Sequence, residues 1–254
     1  MIESEGIRLN LLSAPQEYGA PDLRDGRRAA WYSLAFLLRK VAAARLDIEP
    51  LELAAGIFAG VAEDGFATYA FIADTLENGA GFSTHLGSKD ELPRLIEDVR
   101  VYLGRLAETD HAAGCSSSCY RCLRDYGNMS YHALLDWRLA GDLLDVLRHG
   151  RLTVDQELQA RTLHAWSRAY DGATLIDGVP GAVRYGEHIL IVRHPLEASE
   201  KYLMGDRLAE MMAEAEARSS GFATVVFADS FVLDRDPARV FKLFAESERR
   251  ADDD

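Results

Sequence analysis

Cysteine is nearly missing from this chain of 254 residues: it occurs three times, at Cys115, Cys119 and Cys122, all within eight positions. A disulfide framework spread over the fold is therefore excluded. Lysine is scarce too, present at 40, 89, 201 and 242 alone, so the basic side chains are nearly all arginine. That is a compositional bias first, although arginine forks also suit phosphate and carboxylate. No apolar run approaches the ~20 residues of a membrane span. The opening MIESEGIRLN lacks the charged-then-apolar order of a signal peptide. These absences predict a cytoplasmic protein with no membrane contact, whose thiols are free or metal-bound.

Several catalytic signatures are also absent. There is no G-x-x-x-x-G-K-[ST]; the nearest stretch, LGSKD, has neither the glycine spacing nor the Lys-Ser order. Neither H-E-x-x-H nor H-x-E occurs. A net charge of −13 argues against a protein that grips nucleic acid by bulk electrostatics. What remains is ordinary and sufficient: 48% hydrophobic and 27% charged residues, enough to bury a real core.

The first 26 residues read as irregular, broken by Pro15, Gly19, Pro21 and Gly26. Arg27 to Leu46 then predicts a strong helix, with Leu34, Leu37, Leu38 and Val41 along one stripe. Around Pro50 a short strand or turn is expected. Phe66 to Asp74 reads as a buried strand. Asp74 at its end, with Gly79 and Gly81, marks a tight structural loop. Ser88 and Glu91 have capping-box spacing ahead of a helix to about Leu106. A further helix is expected from His132 to His149, stopped by Gly150.

Beyond 150 the pattern is helix, a strand at Ile189 to Val192, a helix from Gly205 to Arg218 and a strand at Ala223 to Ala228. Strand, helix, strand at this spacing suggests a crossover and a parallel pair. The tail 247–254 is polar.

The spacing C-x3-C-x2-C aims several thiolates at one point, as a zinc site requires. Three thiolates leave tetrahedral zinc one ligand short. His132, ten residues after Cys122, and His111, four before Cys115, are the candidates for the fourth. A redox C-x-x-C at Cys119 and Cys122 lacks the usual βαβ flanks, and three free buried thiols are the plain alternative. Without H-x-E or H-E-x-x-H, a closed structural site is favoured over a catalytic one. Asp74 and Asp229 at strand ends read as loop-capping residues, His194-Pro195 as a turn, and His164 as a core histidine.

Three blocks, YSLAFLLRKVAAARLDIEPLEL, FIADTLENGAGF and CSSSCYRCLRDYGNMSYHALLDWRLAGDLL, come in an order that resembles the MrfA-like zinc-binding domain family. That family occurs at the C-termini of DEAD/DEAH-box helicases and is similar to a component of DISARM-type phage-defence systems. IVRHPL and VVFADSFVLDRDP look like its closing part. Family members commonly carry four cysteines; Ala113 stands where one would be, and the resemblance then makes His132 the substitute.

The combined expectation is an α/β (mixed α+β) fold, a helix-rich zinc-binding domain with a small, partly parallel sheet. Its divisions are 1–26, a zinc-binding helicase-associated domain over 27–150, an α/β segment over 151–246 and the tail. The resemblance implies a non-catalytic accessory subunit or C-terminal module of a DNA helicase or translocase, in phage defence or DNA repair. The motor, a DEAD/DEAH-type helicase or SNF2-like subunit, would act in trans. Arg121, Arg124 and Arg138 are the candidate contacts to DNA or motor. The alternatives are a metal-dependent nuclease using carboxylates near Asp229, and a pure protein-interaction scaffold.

Overall fold

The computed structural model describes residues 6–10, 23, 25–62, 65–76, 79–219 and 221–253. Two compact units divide the chain, one built chiefly on Arg27–Leu152 and the other on Thr153–Asp254. The fold class is the expected one, a helix-rich mixed α/β protein.

In the first unit a strand, β1 (Gly6–Asn10), precedes a long helix, α1 (Asp25–Leu46). Next come the strands β2 (Leu53–Ala62) and β3 (Gly65–Asp74). The three strands form an antiparallel sheet in the order β1-β3-β2. The segment 1–26, expected to be irregular, thus contributes a strand. Its breakers all lie after Asn10, and β1 is held by backbone pairing to β3, which leaves little trace in side-chain pattern. β2 is also longer than the turn expected around Pro50. Alanine and glycine fill it, and both are poor strand formers, so the cross-strand register with β3 carries it.

α1 buries Trp31, Leu34, Leu37, Leu38 and Val41, and with them Arg39. A helix apolar nearly all round belongs in a core. Three helices follow β3: α2 (Phe82–Leu86), α3 (Glu91–Leu106) and α4 (Thr109–Gly114). Then comes a 3-10 segment, Tyr126–Tyr131, and a last helix, α5 (Trp137–His149). α5 packs on α3 and buries Leu139, Leu143 and Leu144. It starts five residues later than the pattern from His132 suggests, because the side chain of Asp136 caps it by accepting from Arg138 N. Gly150 closes it at φ +60°.

The turn after β3 is built around Asp74. Its carboxylate accepts the backbone N–H groups of Gly81 (2.7 Å), Phe82 (3.1 Å) and Ser83 (2.8 Å). Gly79 (φ +56°) and Gly81 (φ +77°) supply the left-handed backbone that points those groups inward. Partial burial pushes the Asp74 carboxyl up, but the N–H and hydroxyl of Ser83, then the N–H groups of Gly81 and Phe82, outweigh it and hold the pKa below the ordinary value. A depressed folded-state pKa stabilises the fold above the unfolded value and loses that contribution as pH falls through the folded one. Asp74→Ala is therefore expected to cost about 1–2 kcal/mol at pH 7. The gap between variant and wild type should narrow below about pH 4. Urea unfolding at pH 7 and pH 3 checks it; an equal gap at both would be the wrong result.

The second unit holds α6 (Gln156–Ala169), β4 (Ala173–Leu175), β5 (Ala182–Tyr185), β6 (His188–Arg193), α7 (Asp206–Arg218), β7 (Thr224–Asp229), α8 (Ser230–Arg235) and α9 (Val240–Asp253). The strand order is β4-β5-β6-β7, with β6 and β7 parallel and the other pairs antiparallel. β6 alternates between two cores. Leu190 and Val192 join Leu163, Trp166 and Phe244 on one face, while Ile189 and Ile191 join Ala182, Leu208 and Ala215 on the other. A strand covered on both faces reads as a continuous apolar run, which is why β6 shows so plainly in the sequence. The polar tail, by contrast, is not separate: α9 runs on to Asp253. Among the described residues no helix is long and apolar enough to cross a membrane.

Candidate metal centre

Four side chains converge where α4 ends: His111, Cys115, Cys119 and Cys122, with their ligand atoms all within 4.8 Å of one another. His111 lies on α4, and Cys115 is the residue just past its end, where the backbone is already extended (φ −140°). The other two thiols come from a tight turn. The carbonyl of Cys119 accepts from the backbone N–H groups of Cys122 (3.0 Å), Leu123 (3.1 Å) and Arg124 (3.0 Å). The Cys119 N–H in turn points at the Cys122 sulfur, 3.0 Å away. Backbone N–H groups aimed at sulfur favour the thiolate.

The fourth member corrects the sequence reading. His111, not His132, stands with the thiols: its Nε2 lies 3.6 Å from Cys119 Sγ. Its Nδ1 lies 2.8 Å from the Leu106 carbonyl, which can only accept, so Nδ1 carries the proton. That bond turns Nε2 towards the cluster, the arrangement by which an outer hydrogen bond orients a ligating histidine. His132 faces elsewhere. Its Nε2 reaches the Asp125 carbonyl (3.1 Å) and Asn128 Oδ1 (2.9 Å), and its ring lies edge-on against Tyr120. The physical reason is that the chain between Cys122 and α5 does not turn back as a helix start. It winds through a 3-10 segment fixed by Asn128.

The electrostatics are uneven. Burial pushes the Cys119 thiol up, but the hydrogen bond to His111, then those to Cys122 and to the backbone of Arg121 and Cys122, outweigh it and bring the pKa down to about 6. Burial pushes Cys122 up to about 12 and raises Cys115 as well. Three thiolates at this spacing repel one another; a bound cation is what allows all of them to ionise together.

The surrounding side chains hold the loop. Trp137 donates through its indole to the Cys115 carbonyl at 3.3 Å. Arg138, stacked on the Trp137 ring, donates to the carbonyls of Cys115 (3.1 Å), Ser116 and Ala112 (3.4 Å). Arg138 is thus occupied inside the fold, a correction to its expected place as an outward contact. Arg124 is half-buried and donates to Ser118 Oγ at 2.9 Å, rather than pairing with Asp125 or Asp136. Arg121 is exposed. Tyr102, whose hydroxyl burial pushes up to about 12, donates to the carbonyls of Arg121 (3.0 Å) and Cys122 (3.1 Å). From α1, Arg39 pairs with Asp125 and Ser33 Oγ accepts from Asp136 N. None of Tyr102, Arg39, Ser33 or Asn128 stood out in the sequence; each acts from 19 or more positions away or through a local turn, with no repeating pattern to mark it.

Asp229 serves as a cap: Oδ1 accepts Val232 N at 2.8 Å and Oδ2 accepts Gly26 N at 3.3 Å. His194 Nδ1 accepts Leu196 N in the turn after β6.

Fold and cluster together define a mixed α/β protein in which one histidine and three cysteines could hold one metal ion. No protein-family model, curated protein or solved structure matches the chain.

Proposed function

We propose that this is a zinc-stabilised, non-catalytic accessory module of a DNA helicase or translocase, with a DEAD/DEAH-type or SNF2-like motor as its partner, in phage defence or DNA repair. The observation that carries the zinc reading is the shape of the cluster. Zinc–sulfur bonds of about 2.3 Å and zinc–nitrogen bonds of about 2.0–2.1 Å give tetrahedral edges of about 3.8 Å between sulfurs and about 3.6 Å between sulfur and nitrogen. Cys115 and Cys122 Sγ are 3.8 Å apart, and Cys119 Sγ and His111 Nε2 are 3.6 Å apart. Three soft thiolates with one imidazole suit zinc and leave no ligand position open, which favours structure over catalysis. A site of this kind contributes on the order of 10 kcal/mol of apparent folding free energy. Here that would hold a loop with few other apolar anchors.

The motor and DNA parts of the reading rest on the resemblance of the cysteine-to-LDW block. The geometry makes that block one unit, since Asp136, Trp137 and Arg138 bind back onto α1 and the cysteine loop. With a net charge of −13, the protein alone is expected to bind DNA weakly and in a salt-dependent way. Two measurements test the proposal. Elemental analysis of protein purified without chelator should find about one zinc per chain. Mixing with a DEAD/DEAH-type motor encoded beside it should raise that motor's DNA-dependent ATPase. A zinc content below a tenth, or a motor indifferent to the protein, would count against it. DNA cleavage lost in Asp229→Asn but kept in Cys119→Ser would replace it with the nuclease reading.

A further inference from the structure

The outer side of the cysteine turn carries an aromatic pair that the metal reading does not use. Tyr126 is 82% exposed and Tyr120 58%, their ring centroids 6.3 Å apart. Rings left in water forgo the stabilisation that burial would bring, so two together on a tightly held loop point to a ligand with faces of its own. The rings are not loose. Tyr120 lies two residues before Cys122, its carbonyl is reached by Lys40 Nζ at 3.5 Å, and its ring rests edge-on against His132 at 5.6 Å. His132 is itself held by Asp125 and Asn128. Tyr126 opens the 3-10 segment that Asn128 fixes.

The charge around the pair selects the ligand. Between His111 and Leu135 the sequence has a single carboxylate, Asp125, in a chain with 41 acidic residues. Asp125 is paired with Arg39. Arg121, next to Tyr120, is exposed, and Lys40 stands beside it. Two cations, Arg121 and Lys40, thus stand beside Tyr120. Rings for bases and cations for phosphates are the two elements of single-strand binding. A duplex keeps its base faces stacked and cannot use the rings.

We propose that Tyr120 and Tyr126 form a stacking platform for the bases of single-stranded DNA, with Arg121 and Lys40 meeting its phosphates and His132 as the positioning residue behind Tyr120. The choice of DNA rests on the function proposed above; the platform itself rests on the rings and the charge.

The test is titration of the full-length protein with fluorescent 20-mer oligo(dT) at about 50 mM salt. Tyr120→Ala and Tyr126→Ala should each weaken binding about tenfold, while Tyr120→Phe and Tyr126→Phe keep it, since stacking needs the ring and not the hydroxyl. Arg121→Ala should lower the salt slope by about 0.7. All variants should keep the wild-type metal content, which separates loss of the platform from loss of the fold. If the alanine variants bind like the wild type, the platform is wrong, and the accessory-module reading still stands on the motor ATPase test. No binding of oligo(dT) by the wild type overturns the platform as well. Tighter binding of oligo(U) overturns the DNA assignment. Unchanged DNA binding with self-association lost in Tyr126→Ala makes the patch a protein interface instead.

Discussion

His111→Ala is expected to strip the metal from the protein, and His132→Ala to leave it in place. His111 lies four residues before Cys115 and His132 ten after Cys122, both close enough along the chain to reach the thiols, so the contrast tests geometry. His111 offers Nε2 at 3.6 Å from Cys119 Sγ with its other nitrogen bonded to Leu106. His132 has its Nε2 engaged by Asp125 and Asn128. Losing an outer partner of a ligand typically costs 10–100-fold in metal affinity; losing the ligand itself should cost at least about 100-fold. Competition with a chromophoric chelator reads this directly, alongside elemental analysis. Metal release should also loosen the 115–124 loop, because binding to such a site is coupled to folding. His132→Ala should show wild-type metal affinity with only a modest loss of stability from its hydrogen bonds. Full retention in His111→Ala would remove that histidine from the site.

That contrast also shows what the sequence could reveal. Three cysteines within eight residues are a local pattern, and local patterns survive without a structure. The choice of fourth ligand depended on whether His132 begins a helix that folds back or ends a 3-10 turn that does not. A six-residue helix such as α4 is too short to leave a periodic signature, although the four-residue step from His111 to Cys115 was there to be read. The parallel pair β6 and β7 was legible because burial on both faces concentrates Val and Ile. β1, β2 and β5 were not, because hydrogen-bond partners elsewhere in their sheets define them more than their own side chains do. The Arg39–Asp125 pair joins positions 86 apart, and no short window contains it. Arg138 illustrates a different failure. Its charge suggested an outward contact, while its planar fork was better used against three carbonyls between Ala112 and Ser116.

In the second unit the largest expected effect belongs to Trp166→Ala. Trp166 is 2% exposed on α6. Its ring meets Tyr170 at 5.0 Å, Tyr185 at 5.9 Å, Phe241 at 6.0 Å and Phe244 at 6.4 Å. The indole N–H donates to the Pro237 carbonyl at 3.0 Å. It therefore joins α6, β5 and α9 over one face of the sheet and fixes the chain just ahead of α9. Truncation removes the aromatic contacts, leaves a cavity among side chains already held by one another, and orphans the carbonyl. Trp to Ala in a packed core costs about 3–5 kcal/mol, a large part of the roughly 5–15 kcal/mol that stabilises a folded domain. Trp166→Phe keeps a ring in the cluster and should cost about 1–2 kcal/mol, the share of the lost hydrogen bond and the smaller volume. Equilibrium urea unfolding of metal-loaded protein, followed by circular dichroism, separates the two. The ordering of the variants matters more than either value. If the alanine and phenylalanine variants unfold together, the hydrogen bond to Pro237 and not the ring packing holds α6 to the sheet. If both unfold with the wild type, Trp166 does not hold this core together.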